Sequence, residues 1–232
     1  MNVLCVSAHP DDEVLGCGGT LARLATEGHD VFIAVLGEGI TSRFEARDGS
    51  NPRLVQTLDR CGREVSEMLG AKQRIAFKLP DNRFDSVPVL NIIKIVENLV
   101  VELTPEVIYT HHGGDLNVDH IAAHRAVLTA TRPKPGQPVR EVYSYEVPSS
   151  TDWAFQRFEP VFRPNTFVDI VAHLETKVEA LRHYDSEVRS FPHPRSPEAL
   201  RATARRWGSV CGCEAAEAFE LVRAIRPAAG SR

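Results

Sequence analysis

Apolar residues in this chain come in two rhythms, and the two rhythms alternate. Val3-Leu4-Cys5-Val6 and Val31-Phe32-Ile33-Ala34-Val35-Leu36 are continuous apolar runs of strand length. Ile75–Leu79, Val107–Thr110 and Val142–Tyr145 are shorter stretches of the same kind. Helical spacing separates them. Leu15, Leu21, Leu24 and Ala25 fall on one face, and Gly28 ends that segment. Leu54, Leu58, Cys61, Val65 and Met68 recur at intervals of four and three after Pro52, with Gly70 as the stop. Val89 to Leu103 is a third helix, closed by Thr104-Pro105. Ala122, Ala123, Ala126, Val127 and Ala130 mark a fourth.

Continuous apolar strands alternating with helices predict an α/β fold: a single-domain, Rossmann-like open sheet, mostly parallel, with helices on both faces. Beyond the fifth strand the pattern weakens. Phe167-Val168 predicts a short strand, Asp169 a cap for a helix carrying Val171, Leu174, Val178 and Leu181, and Ser196-Pro197 the start of another helix. Ala218 to Ile225 fits strand and helix equally. The expected domain spans 1–226, with 227–232 as a frayed tail.

Composition changes this picture little. The 232 residues are 43% hydrophobic and 25% charged, ordinary globular values. A net charge of -4 gives no basic excess for nucleic acid. No apolar run nears the roughly 18 residues of an integral membrane segment. The five cysteines are odd in number and irregularly spaced, so they predict free thiols. Together with the lack of a recognisable signal peptide, that predicts a cytoplasmic protein.

The chemistry is concentrated at two strand ends. His9-Pro10-Asp11-Asp12-Glu13 follows the first strand, and His111-His112-Gly113-Gly114-Asp115-Leu116-Asn117-Val118-Asp119-His120 follows the fourth. Ligands of open α/β sheets bind outside the carboxyl ends of strands. Charge crowded there needs a partner, because unpaired buried carboxylates are costly. One carboxylate and two imidazoles suit zinc. His9 and Asp12, three residues apart across a turn, can face one ion, and a histidine from 111–120 would complete the set. His124, one helical turn beyond His120, is the main rival ligand. Asp11 diverges from Asp12 and is free to accept a proton. Glu13 reads as a helix-start charge. The glycines of Gly16-Cys17-Gly18-Gly19 do not match the dinucleotide fingerprint, so close packing of helix on sheet is their expected role. Arg43, Arg63 and Asp85 are candidates for a sugar pocket, Arg43 and Asp85 because they lie in loops after strands.

The block Ala8 to Glu13, with Leu15-Gly16-Cys17-Gly18-Gly19-Thr20 behind it and Asp119-His120 downstream, resembles the PIG-L/LmbE-like metal-dependent de-N-acetylases. Glu146 to Thr151, Tyr184-Asp185-Ser186 and Ala216 to Phe219 extend the likeness over nearly the whole chain. The resemblance implies an LmbE-like fold, zinc on His9, Asp12 and His120, Asp11 as general base and Asp119 as an orienting group. It also implies release of acetate from an N-acetylated amino sugar in a small molecule or glycoconjugate. Several relatives carry a histidine, which helps stabilise the oxyanion, where this chain has Asn117. An amide can donate there, but not as a cation. The resemblance leaves a homo-oligomer open. The competing expectations are a metal-dependent amidase or phosphoesterase on another substrate, and a sugar- or nucleotide-binding protein without turnover.

Overall fold

The computed structural model describes residues 1–43 and 52–226. Seven strands form one sheet in the order β3-β2-β1-β4-β5-β7-β6. They are β1 (Asn2–Ser7), β2 (Asp30–Gly37), β3 (Gln73–Leu79), β4 (Val107–His111), β5 (Glu141–Tyr145), β6 (Thr166–Asp169) and β7 (Ala216–Ala224). The first five pair in parallel. β7 runs antiparallel to both β5 and β6. The ambiguous segment 218–225 is therefore a strand. Its apolar side chains, such as Ala218 and Phe219, are buried at its first half while the second half is more exposed.

Successive side chains of a strand point to opposite faces, and the two faces have separate cores. Val3, Cys5, Ile33 and Val35 pack with Leu21 of α1 (Asp12–Thr26), Val65 of α2 (Pro52–Met68) and Leu181 of α5 (Leu174–His183). Leu4, Val6, Phe32 and Ala34 pack with Val96 of α3 (Val89–Leu103) and Val127 of α4 (Val118–Ala130). A sheet covered on both sides explains why its central strands are apolar throughout. Burying each such Leu, Ile or Val side chain is worth about 1.5–3 kcal/mol. Among the described residues, no helix is long and apolar enough to cross a membrane.

The glycine-rich stretch does more than let helix approach sheet. α1 breaks at Cys17, whose φ of -145° and ψ of 19° are not helical. The break frees backbone groups, and side chains from distant elements satisfy them. The amides of Gly19 and Thr20 donate to the Glu217 carboxylate at 3.0 and 2.7 Å. Lys177 donates to the carbonyl of Leu15 at 2.9 Å and to Glu217 at 2.6 Å. Gly16 is required by contact: a Cβ there would lie 2.2 Å from the Tyr145 ring. The first half of α1, which carries the acidic block, is thus fixed against β5, β7 and α5. α6 (Pro197–Cys211) starts where expected, with Ser196 Oγ accepting from the amide of Ala199.

Candidate metal centre and active site

β1 ends at Ser7, and the chain turns into α1 within four residues. Asp11 occupies the N-cap in a left-handed conformation, φ 104°. A non-glycine residue there costs on the order of 1–3 kcal/mol and persists only where its surroundings enforce it. Acidic side chains fold back onto the turn. The amide of His9 donates to Asp12 Oδ2 at 2.8 Å, and that of Asp11 to Glu13 Oε2 at 3.1 Å. Glu13 is more than a helix-start charge. It is fully buried and accepts from the Tyr184 hydroxyl at 2.6 Å. Burial pushes its carboxyl upward, against the Tyr184 hydrogen bond.

The other half of the site enters from β4, which pairs directly with β1. Asn117 caps α4, its Oδ1 accepting from the amide of Asp119 at 2.9 Å. The first turn of α4 then delivers Asp119 and His120, both buried, to the end of β1. His120 Nε2 lies 3.3 Å from Asp12 Oδ2, and His120 Nδ1 lies 3.2 Å from Asp115 Oδ1. Asp115 is itself fixed by the hydroxyls of Ser150 and Thr151 and by the amide of Asn117. Burial alone would raise the Asp115 carboxyl, but His120 and these donors hold it below the usual carboxylate range. His111 stacks on His120 with centroids 3.9 Å apart, and its Nε2 accepts from the amide of Ala8 at 2.8 Å. Burial, with His120 beside it, keeps His111 neutral.

Asp12 Oδ2 is 3.3 Å from Nδ1 of His9 and 3.3 Å from Nε2 of His120. The three donor atoms lie within 4.8 Å of one another, all buried. With Nδ1 turned to Asp115, the Nε2 of His120 has no well-formed hydrogen-bond partner among the described residues. Buried polar atoms without partners are rare, and a shared cation removes the anomaly. Two imidazoles and a carboxylate are a donor set for a borderline divalent metal, so the residues fit such an ion. On the far side of His9, Nε2 lies 3.0 Å from Asp119 Oδ2 and 3.3 Å from Asp81 Oδ1. Asp119 accepts from the amide of Phe84 through its other oxygen. Burial opposes charge on His120, yet Asp12 and Asp115 raise its pKa to about 9. Burial likewise opposes charge on His9, and Asp119 and Asp12 raise it. Asp12 is held low against burial by His120 and His111.

His9, Asp11, Asp12 and Asn117 line one cavity, together with Asp81, Asn82 and Arg195. His120 and Asp119 are buried and touch two of these lining residues, Asp12 and His9. His124 does not join the cluster, because its Nδ1 bonds the carbonyl of His111 at 2.8 Å. The Asn117 side chain is held in place: its Oδ1 caps α4, and one N–H of Nδ2 donates to Asn82 Oδ1 at 2.9 Å, which leaves the second N–H of that amide. Two expected pocket residues lie elsewhere. Arg63 pairs with Asp59 one turn earlier on the exposed face of α2. Asp85 sits on a 3-10 turn beside a different groove, because its neighbour Phe84 is the residue that turns inward. The side chain of Arg43 lies outside the described residues. Sequence reading passed over Asp81 and Arg195. Asp81 had a readable signal, a carboxylate at the carboxyl end of β3. Arg195 had none, since it follows no periodic element.

Residues 4–131 match the family model PIG-L: GlcNAc-PI de-N-acetylase. The chain is 30% identical to the uncharacterized deacetylase YaiS of Escherichia coli (strain K12), over 79% of this chain and 90% of that one. It is 26% identical to the diacetylchitobiose deacetylase of Thermococcus kodakarensis, over 96% and 84%. Its fold superposes on a conserved protein from Thermus thermophilus with a TM-score of 0.74 and 28% identity, covering 99% of this chain and 98% of that one. The chain belongs to the PIG-L de-N-acetylase family.

Proposed function

We propose that this protein is a zinc-dependent deacetylase that removes the acetyl group from an N-acetylglucosamine-like amino sugar carried on a small molecule or glycoconjugate. The observation that carries this reading is Asp12 Oδ2 set between His9 Nδ1 and His120 Nε2, at 3.3 Å from each. His9, Asp12 and His120 would hold the metal. A divalent cation there supplies Lewis-acid polarisation of the acetyl carbonyl and makes water a better nucleophile at neutral pH. Family membership, and a diacetylchitobiose deacetylase among the relatives, support the substrate class.

The remaining work falls to the chain's own groups. Asp11 takes the proton from the attacking water and returns it to the nitrogen of the departing amine. Burial raises the Asp11 carboxyl well above the usual range, against the pull of Arg195, which suits a group that must carry a proton for part of the cycle. Asp119 keeps His9 turned so that Nδ1 faces Asp12. Asp115 does the same for His120.

The test is product analysis. Purified protein is incubated with N-acetylated amino-sugar conjugates and, separately, with phosphoesters of similar size. Acetate and free amine in equal amounts support the reading. Phosphate release without acetate would replace it with a phosphoesterase.

A further inference from the structure

Asp11 lies on the cavity wall with only one of its oxygens engaged. Oδ2 accepts from Arg195 Nη1 at 3.0 Å, and Oδ1 has no hydrogen-bond partner among the described residues. The backbone does not fix that arrangement. Rotation about the last bond of an aspartate is broad and two-fold, and Asp12, Glu13 and Glu187 all push on this carboxylate. Arg195 opposes them from a fixed position. Its Nε donates to Ser149 Oγ at 2.8 Å, and its Nη1 also reaches Glu187 at 3.4 Å. Its backbone amide donates to His193 Nδ1 at 3.0 Å, and the His193 ring stands edge-on to Trp153, 5.4 Å between centroids. Ser196, the next residue, caps α6.

We propose that Arg195 is a positioning residue: it holds Oδ2 of Asp11 against the wall so that Oδ1 faces the reacting atoms. A planar guanidinium suits this, because its donors have a fixed direction as well as a charge. The geometry of the base near the N-terminus is thereby set by a residue 184 positions away. The inference rests on the deacetylase reading, in which Asp11 moves the proton.

The test uses the full chain loaded with metal, as wild type, Arg195→Ala and Arg195→Lys, with metal content and thermal midpoint measured beside the kinetics. A misplaced group of this kind costs on the order of 10² in rate. The alanine variant is expected to lose about that factor in kcat, with KM and metal content little changed. Lysine is expected to restore part of it. Guanidinium ion added to the assay is expected to raise kcat of the alanine variant and not of wild type. An alanine variant with wild-type kcat, a loss confined to KM, or a loss that follows metal content and ignores guanidinium would each overturn the inference. Failure of wild type to release acetate would instead count against the deacetylase reading.

Discussion

Nε2 of His9 donates to Asp119 Oδ2 at 3.0 Å, while the next residue, His120, faces Asp12 from the opposite side of the cluster. Two consecutive residues of α4 therefore do separate jobs. One fixes the tautomer and tilt of a histidine from the end of β1, and the other offers its own ring nitrogen. Such outer partners are typically worth roughly 10–100-fold in metal affinity. Asp119→Ala is expected to weaken zinc binding by about that factor, read by competition with a fluorescent chelator. Unaltered affinity would mean that Asp119 serves only the amide of Phe84.

Asp11→Asn separates proton transfer from metal binding. The amide keeps the shape of the side chain but cannot take a proton from water. Turnover is expected to fall on the order of 10²–10⁴, with zinc content unchanged. Wild-type turnover in this variant would remove Asp11 from the chemistry.

Histidine assignment can be read from metal content alone. His120→Ala should lose zinc on desalting. His124→Ala should keep it, because the His124 ring is committed to the carbonyl of His111. The reverse pattern would show that α4 presents its second histidine when metal is present.

Lys177 and Glu217 form a buried ion pair that closes the break in α1. Lys177→Met leaves the carboxylate without its counter-charge and the Leu15 carbonyl without its donor. Removing one partner of a buried pair typically costs about 3–5 kcal/mol. Urea unfolding should report a loss of that order, and a change below about 1 kcal/mol would mean that the pair behaves as an exposed one.

The central strands and the two charged blocks were legible because each follows from local pattern. Continuous apolar runs mark buried parallel strands, and polar clusters after them mark their carboxyl ends. His9, Asp12 and His120 converge because β1 and β4 are neighbours, an adjacency that a doubly wound sheet permits and that strand-helix alternation alone does not fix. What the sequence could not carry is long-range and aperiodic. The stitching of Gly19 and Thr20 by Glu217 joins residues 198 and 197 positions apart. Arg195 sits in a turn-rich segment with no repeat to aim it. Arg63 and Asp85 were plausible by position in the chain, but a helix face and a single turned-in phenylalanine decided against them. The capping of α4 by Asn117 and its bond to Asn82 were equally out of reach, because Asn82 is 35 residues away.

The central claim is that one divalent ion, held by His9, Asp12 and His120, is required for acetate release. The most direct measurement strips the protein with a chelator, titrates zinc back and follows acetate production from an N-acetylated amino sugar. Activity should be abolished by stripping and restored linearly, with a break at one zinc per chain. Full acetate production by the stripped protein, or no recovery at one equivalent of any divalent metal, would contradict it.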